Sequence, residues 1–325
     1  MLQKIHLTGI IPEKFAHFRV DQALAQVFPD YSRARLSLWL KSEYITINGQ
    51  ILRPKDKVHG GETVIIDAAL EEESWTAEFI PLNIIYEDKS LIVINKPAGL
   101  VVHPAHGNFE HTLVNALLHH CPELHSLPRA GLIHRLDKDT TGLLVIAKTL
   151  SAHHILVKAM QERQIQRIYQ AVVYVKNSRH PPLLNQTIQT NFGRHPHQRL
   201  KMAVTSQGKP AITHVTRLGY HPPFAHLEVA LETGRTHQIR VHLAHIHLPI
   251  VGDPLYGISG LQLSRYPTLE TEITDFFKTF SRQALHAYRL SLNHPDTHEK
   301  MTWEAPLPDD MQQLLTLTKN SGDTL

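Results

Sequence analysis

The sequence predicts an α+β fold built on a mostly antiparallel mixed sheet flanked by helices and loops, and three observations carry that expectation. Strand-length apolar runs such as 142–147 (GLLVIA) alternate with segments of helical period, but without the regular strand–helix–strand rhythm of a doubly wound sheet. No glycine-rich phosphate loop opens a helix. Apolar runs also meet across turn signals, as 211–218 and 224–231 do around His221-Pro222-Pro223. With 325 residues, 42% hydrophobic and 19% charged, the chain can bury a large core in one large or two unequal domains, which excludes a disordered or low-complexity protein. The single cysteine, Cys121, excludes a disulfide framework and multi-cysteine zinc sites and fits a reducing compartment. The first residues lack an apolar signal core and no run approaches a membrane span, so a cytoplasmic protein is expected, with no membrane association.

The N-terminal unit is expected over 1–67. Val20, Ala23, Leu24 and Val27 have helical spacing, and Pro29 ends that helix. Ser32 can cap a second helix whose apolar positions are Leu36, Leu38, Trp39 and Leu40. Residues 44–47 alternate like a strand, Asn48-Gly49 signals a hairpin, and 63–67 reads as a further strand. Between 32 and 57, six cations (Arg33, Arg35, Lys41, Arg53, Lys55, Lys57) face two acids, Glu43 and Asp56. Arg33 and Arg35 lie in the first turn of a helix, where the dipole favours acids. On charge alone, a solvated helix face is the simpler account. The segments FRVDQALA, SRARLSLWLKSEYITING and VHGGETVII together resemble the alpha-L type RNA-binding module over about 17–67. That resemblance implies that Arg33, Arg35 and Lys41 contact RNA. The acidic stretch 68–81 (AALEEESWTAEFIP) reads as a linker to a large unit over 82–325.

In the large unit, 83–94 reads as a strand pair turning at YEDKS, and 108–120 holds a short helix. A strand over 142–147 precedes a helix over 151–162 with Ala152, Ile155, Leu156, Ala159 and Met160 on one side. A strand over 167–175, the hairpin of 211–231 and a short helix over 235–246 follow. From 163 to 227 there is no Asp or Glu, yet nine Lys and Arg, in a chain whose net charge is +3. Such segregation favours a polyanion partner over a merely solvated face. Arg194, Arg199 and Lys201 are the expected RNA contacts within it.

Asp137 stands in RAGLIHRLDKDTTGLLVIAKT (129–149), between an Arg-Leu pair and a polar turn, at the mouth of a buried strand. Two cations are candidates to partner it, Arg135 beside it and Arg240 from afar. On the helix over 235–246, Ile239, Leu243 and Ile246 share a face and Arg240 sits about 100° from Ile239, where a guanidinium needs an anion. By chemistry alone, an Asp flanked by two Arg reads as a structural salt bridge more readily than as a nucleophile. His237, His242, His245 and His247 raise a metal question, but on a helix the first three do not share a face, and no metal is expected.

Five segments in order resemble the RluA family of RNA pseudouridine synthases: NKPAGLVVHP (95–104), HRLDKDTTG (134–142), RIYQAVV (167–173), LETGRTHQIRVHLAHIHLPIVGDPLYG (231–257) and RQALHAYRLSLNHP (282–295). Thr141 stands where many members have Ser, and 261–280 matches less well, reading as a variable loop. The resemblance is strongest to members that modify large-subunit (23S) ribosomal RNA. It implies isomerisation of uridine to pseudouridine by a monomer without cofactor, with Asp137 as the essential aspartate, acting as nucleophile at the anomeric carbon or as base at the neighbouring ribose carbon. The salt bridge from Arg240, for which the helix reading makes Asp137 the natural partner, would fix that carboxylate in direction; the resemblance further implies Tyr169 as the active-site tyrosine and Arg135 as the residue filling the gap left by a flipped nucleotide. His134 is read as a structural hydrogen-bond partner that helps order the loop. Two rival functions are a non-catalytic RNA-binding assembly factor and a His-dependent metallohydrolase.

Overall fold

The computed structural model describes residues 3–29, 31, 33–70, 75–104, 109–175, 183–198, 200–258, 263 and 271–320. They divide into two units, Met1–Ser74 and Trp75–Leu325.

In the first unit, β1 (Gln3–Ile10), β3 (Thr63–Leu70) and β2 (Ile45–Ile47) form an antiparallel sheet in that order. The helices α1 (Val20–Val27) and α2 (Arg33–Lys41) cover it, burying Val20, Leu24, Leu36, Trp39 and Leu40 against Ile45, Val64 and Ile66. The Asn48-Gly49 turn closes only a single bridge, Ile47 with Gln50, and β2 pairs with β3 instead (Ile45 opposite Ile66). The capping role expected of Ser32 lies outside the described residues. Strand β3 runs through Ala68–Leu70, into the stretch read as linker. Residues 75–81 rest on the second unit: the Trp75 ring lies 4.9 Å from that of His103, and Asn115 Nδ2 donates to the Thr76 carbonyl at 2.7 Å.

The second unit is organised by one long sheet ordered β4 (Ile84–Glu87), β5 (Leu91–Lys96), β6 (Thr141–Ala147), β12 (Leu285–Asn293), β7 (Gln166–Tyr174), β11 (Phe224–Leu231), β10 (Lys209–His221), β8 (Asn185–Arg194), β9 (Met202–Val204), with β13 (Lys300–Glu304) paired to β12. Every ladder is antiparallel except β6 on β12, where Thr141 and Gly142 face His286 and Ala287. The α+β expectation therefore holds. β5 and β6 are continuous apolar runs because both faces are covered. Ile92, Ile94, Leu144 and Ile146 pack under α3 (Leu113–His120) and its neighbours, while Leu91, Val93, Leu143 and Val145 pack under α4 (Leu150–Gln161). On α4, Ile155 is exposed and His153 is buried in its stead, so the inward face is narrower than the apolar spacing predicted.

The helix α5 (Gln238–His245) starts later than the spacing predicts. His237 adopts a left-handed conformation (φ 60°), and the Gln238 side chain takes up the loop before it, accepting from the Arg235 amide and the Thr233 hydroxyl. The segment read as a variable loop contains α6 (Thr271–Thr279), which buries Ile273 and Phe277. The chain ends its described course in α7 (Asp309–Asn320).

Candidate active site

Asp137 lies in the turn before β6. Its amide-side geometry is closed by Thr140, whose N–H donates to the Asp137 carbonyl at 3.1 Å. Three buried anchors hold this turn. Lys96 Nζ, wholly buried, donates to the carbonyls of Pro97 (2.6 Å), Leu100 (3.0 Å) and Lys138 (2.8 Å). Gln283 Nε2 donates to the Thr140 hydroxyl at 3.0 Å, and Thr141 Oγ1 meets His286 Nδ1 at 2.8 Å. Burial pulls the Lys96 ammonium down to about 7, against which Asp139 and Asp137 pull it up. Gly142 has φ +110°, and a Cβ there would lie 2.3 Å from the Ala287 carbonyl oxygen, so β6 can approach β12 only with glycine at this point.

The carboxylate itself is 16% exposed and points at α5. Arg240 Nη1 donates to Asp137 Oδ2 at 2.9 Å, the ion pair expected from the sequence. Arg240 is also clamped by Asp253, through Nε to Oδ2 and Nη2 to Oδ1, both at 2.7 Å. Asp253 Oδ1 further accepts from the amides of Leu255 and Tyr256. Burial alone would lower the Arg240 pKa, but the hydrogen bonds and charge of Asp253, then those of Asp137, raise it above its ordinary value. One guanidinium thus faces two carboxylates. Asp253 clamps it from the buried side through two nitrogens, while Asp137 meets it from the solvent-accessible side.

On the other carboxylate oxygen, His237 Nε2 stands 3.8 Å away. Its Nδ1 meets the Tyr256 hydroxyl at 2.8 Å, and that hydroxyl accepts from the Met202 amide at 2.7 Å. Burial depresses the His237 pKa, with Asp137 opposing it, which favours the neutral ring. The Tyr256 ring lies 5.1 Å under the Arg240 guanidinium.

Asp137, His237 and Arg240 line a cavity of about 1220 Å³ that also takes in Tyr169, Arg135, Arg167 and Gly234. Tyr169 is 5% exposed on β7, and burial raises its phenol pKa. Arg135 is exposed at this cavity and makes no ion pair with Asp137. His134 Nε2 accepts from the Val145 amide at 3.3 Å, its Nδ1 is buried without a hydrogen-bond partner, and burial pushes its pKa down to about 3.

Residues 90–245 match the family described as RNA pseudouridylate synthase. The chain is 46% identical over 328 residues to the ribosomal large subunit pseudouridine synthase D of Pseudomonas aeruginosa, covering 99% of both chains. It is 48% identical over 312 residues to the protein of the same name from Neisseria meningitidis serogroup A, covering 95% of this chain and 81% of that one. The chain belongs to the RNA pseudouridylate synthase family. The pseudouridylate synthase fold is also seen in the solved structure of human RNA pseudouridylate synthase domain containing 4, at a TM-score of 0.55 and 25% identity over 73% of this chain and 93% of that one.

As a pseudouridylate synthase, the chain contains Asp253 and Lys96 inside the family-like segments GDPLYG and NKPAG, but neither carried a role from sequence, since an isolated Asp or Lys in such a segment gives no sign of its partner. His242 is bonded through both ring nitrogens, to Thr190 at 2.9 Å and Thr213 at 2.8 Å, and His245 and His247 are exposed. Among the described residues no group of three metal-ligating side chains converges. No helix among them is long and apolar enough to cross a membrane.

Of the expected RNA contacts, Arg33 is engaged with the protein itself. It donates to Asp21 at 2.7 Å alongside Arg19. Burial would raise the Asp21 carboxyl, but those two arginines hold it below its ordinary value. This pairing accounts for a cation in the first turn of α2. Arg35 is half-buried, and Lys41 is exposed. Arg194 is exposed at the end of β8, Lys201 Nζ sits 5.9 Å over the Tyr256 ring, and Arg199 lies outside the described residues. Arg163, counted in the basic stretch, pairs with Glu232.

Proposed function

We propose that this chain isomerises uridine to pseudouridine in large-subunit ribosomal RNA, as a single chain in the cytoplasm, with Asp137 as its catalytic residue. One observation carries the reading: a carboxylate oriented by a buried guanidinium, which a second acid also clamps, on the wall of a cavity large enough for a nucleotide.

The reaction breaks the bond from N1 of uracil to the anomeric carbon, turns the base, joins C5 to that carbon, and exchanges the C5 proton for one on N1. Attack on the anomeric carbon and proton removal from the neighbouring ribose carbon both require Asp137 to be ionised and fixed in direction, which the bond from Arg240 supplies. Tyr169 offers its ring for stacking on the base, and its phenol, which burial keeps protonated, can help remove the C5 proton only as it passes its own proton on toward N1. A base cannot react inside a stack, and Arg135, exposed at the cavity, is suited to stacking in the space left by an everted nucleotide. Substrate and product are isomers, so the chemistry calls for no redox partner or group donor. The N-terminal unit, through Arg35 and Lys41 with Arg33 paired behind them, and Arg194, Arg199 and Lys201 on the second unit supply sequence-independent contacts to phosphate.

The test is Asp137→Asn assayed on transcribed large-subunit RNA. Pseudouridine formation is expected to vanish while RNA binding survives. Binding by the wild type without any pseudouridine formed would replace this reading with that of an assembly factor.

A further inference from the structure

Among the described residues three arginines are at least nine-tenths buried: Arg240, Arg282 and Arg167, at 4%, 8% and 8% exposure. Two are matched by carboxylates, Arg240 by Asp253 and Arg282 by Asp310, each through two nitrogens. Arg167 has none. Its side chain makes no hydrogen bond or ion pair, and its Nε is buried without an acceptor. A buried cation without a counter-charge is unfavourable and persists only where something else requires it.

Its location says what that is. Arg167 and Tyr169 are two apart on β7, so their side chains leave the same face of the strand, and both line the cavity that holds Asp137. Gly234 makes room for the guanidinium: a Cβ at that position would lie 2.4 Å from Arg167 Nη1. The nearby ring of His134 is neutral and offers no anion. An anion or a strong acceptor must therefore come from what enters the cavity.

Building on the function proposed above, we infer that Arg167 is a further catalytic residue, donating hydrogen bonds to a carbonyl oxygen of the flipped uracil and stabilising the charge that the base acquires when it is released. When the bond between N1 and the anomeric carbon breaks, its electron pair stays on the base and spreads over N1, O2 and O4. An Arg167 N–H directed at O2 or O4 meets that charge without giving up its proton. The base then rejoins through C5, whose proton is lost as N1 gains one, and the base is neutral again. A phosphate is the other acceptor RNA could bring. An everted nucleotide enters base first, however, and leaves its phosphates toward the mouth, where exposed cations such as Arg135 stand.

Two variants test this on a transcribed ribosomal RNA fragment: Arg167→Gln removes the charge, and Gly234→Ala keeps the charge but displaces the guanidinium from an exposed loop position. The readouts are the single-turnover rate at saturating RNA and the affinity at several salt concentrations. Arg167→Gln is expected to slow the rate about 10²–10³-fold, as for loss of one donor to a developing oxyanion, with affinity within about threefold and its salt dependence unchanged. Gly234→Ala is expected to slow the same step about tenfold at unchanged affinity. A loss confined to affinity, with the salt slope reduced by about one charge, would make Arg167 a phosphate contact and overturn the inference. So would wild-type rates in either folded variant. Should Arg167→Gln fail to fold, by circular dichroism, Gly234→Ala decides alone. Wild-type protein that forms no pseudouridine would instead remove the proposed function, and this inference with it.

Discussion

Replacing Lys96 with Met keeps the length and apolar stem of the side chain and removes the ammonium that ties three carbonyls together. The consequences depend on pH in a way that can be worked out. Folding takes this group from its ordinary 10.5 to about 7, mainly by burial. Below pH 7 both states carry the proton and the folded state bears the whole cost of about 5 kcal/mol, at about 1.4 kcal/mol per pH unit. Between about 7 and 10.5 the unfolded chain binds more protons, so this contribution rises with pH and the native state gains stability. From pH 7 to pH 9 that gain is about 2 kcal/mol, whereas the Met variant has none of it. The Met variant also leaves three carbonyls without their donor, each costing about 1–3 kcal/mol when no water replaces it. The variant should therefore fall further below the wild type at pH 9 than at pH 7, by about 2 kcal/mol. Urea unfolding of the second unit measures this, followed by Trp75 and Trp303 fluorescence in a Trp39→Phe background. A difference between the two proteins that is the same at both pH values would refute the reasoning, because Lys96 would then not change its protonation on folding.

Arg240→Lys keeps one charge but cannot reach Asp137 and Asp253 together, so turnover should fall at least about 10²-fold with RNA affinity little changed; an equal loss in affinity would assign Arg240 to binding. Gly142→Ala forces both a φ of +110° and a Cβ against the Ala287 backbone, and a loss of about 3 kcal/mol should lower the melting temperature by about 6–12 °C; a shift within 2 °C of the wild type, roughly, would mean that β12 yields easily. Lys41→Glu should weaken RNA binding and flatten its salt dependence while leaving the rate at saturation intact. Arg33→Glu should also lower thermal stability, since it puts a second acid beside Asp21, and equal stability in the two variants would contradict the Arg33–Asp21 pairing.

The parts legible in sequence were those whose signal is local. The apolar runs at 91–94 and 142–147 announced strands buried on both faces, and the edge position of Arg240 on its helix announced an anionic partner. β1 was missed because its inward residues, Ile5 and Leu7, alternate with His6 and Thr8 in a segment too short and mixed to stand out from a loop. β8 was missed for a related reason: within 185–194, only Ile188 and Phe192 are buried, and an amphipathic strand near the end of a sheet carries few apolar residues. The helix over Thr271–Thr279 was hidden because Ile273 and Phe277 alone mark its inner face. Asp253, Lys96 and Arg167 were illegible for another reason. Their roles depend on partners, or on the lack of partners, that only the folded chain defines.

The strand β12 separates β6, which carries the Asp137 turn on its leading end, from β7, which carries Tyr169. Neither can take its place beside the other until a segment beginning at Leu285 has slid between them. A fragment ending before β12 would therefore contain both the aspartate and the tyrosine, yet lack the strand that holds their two strands in one sheet.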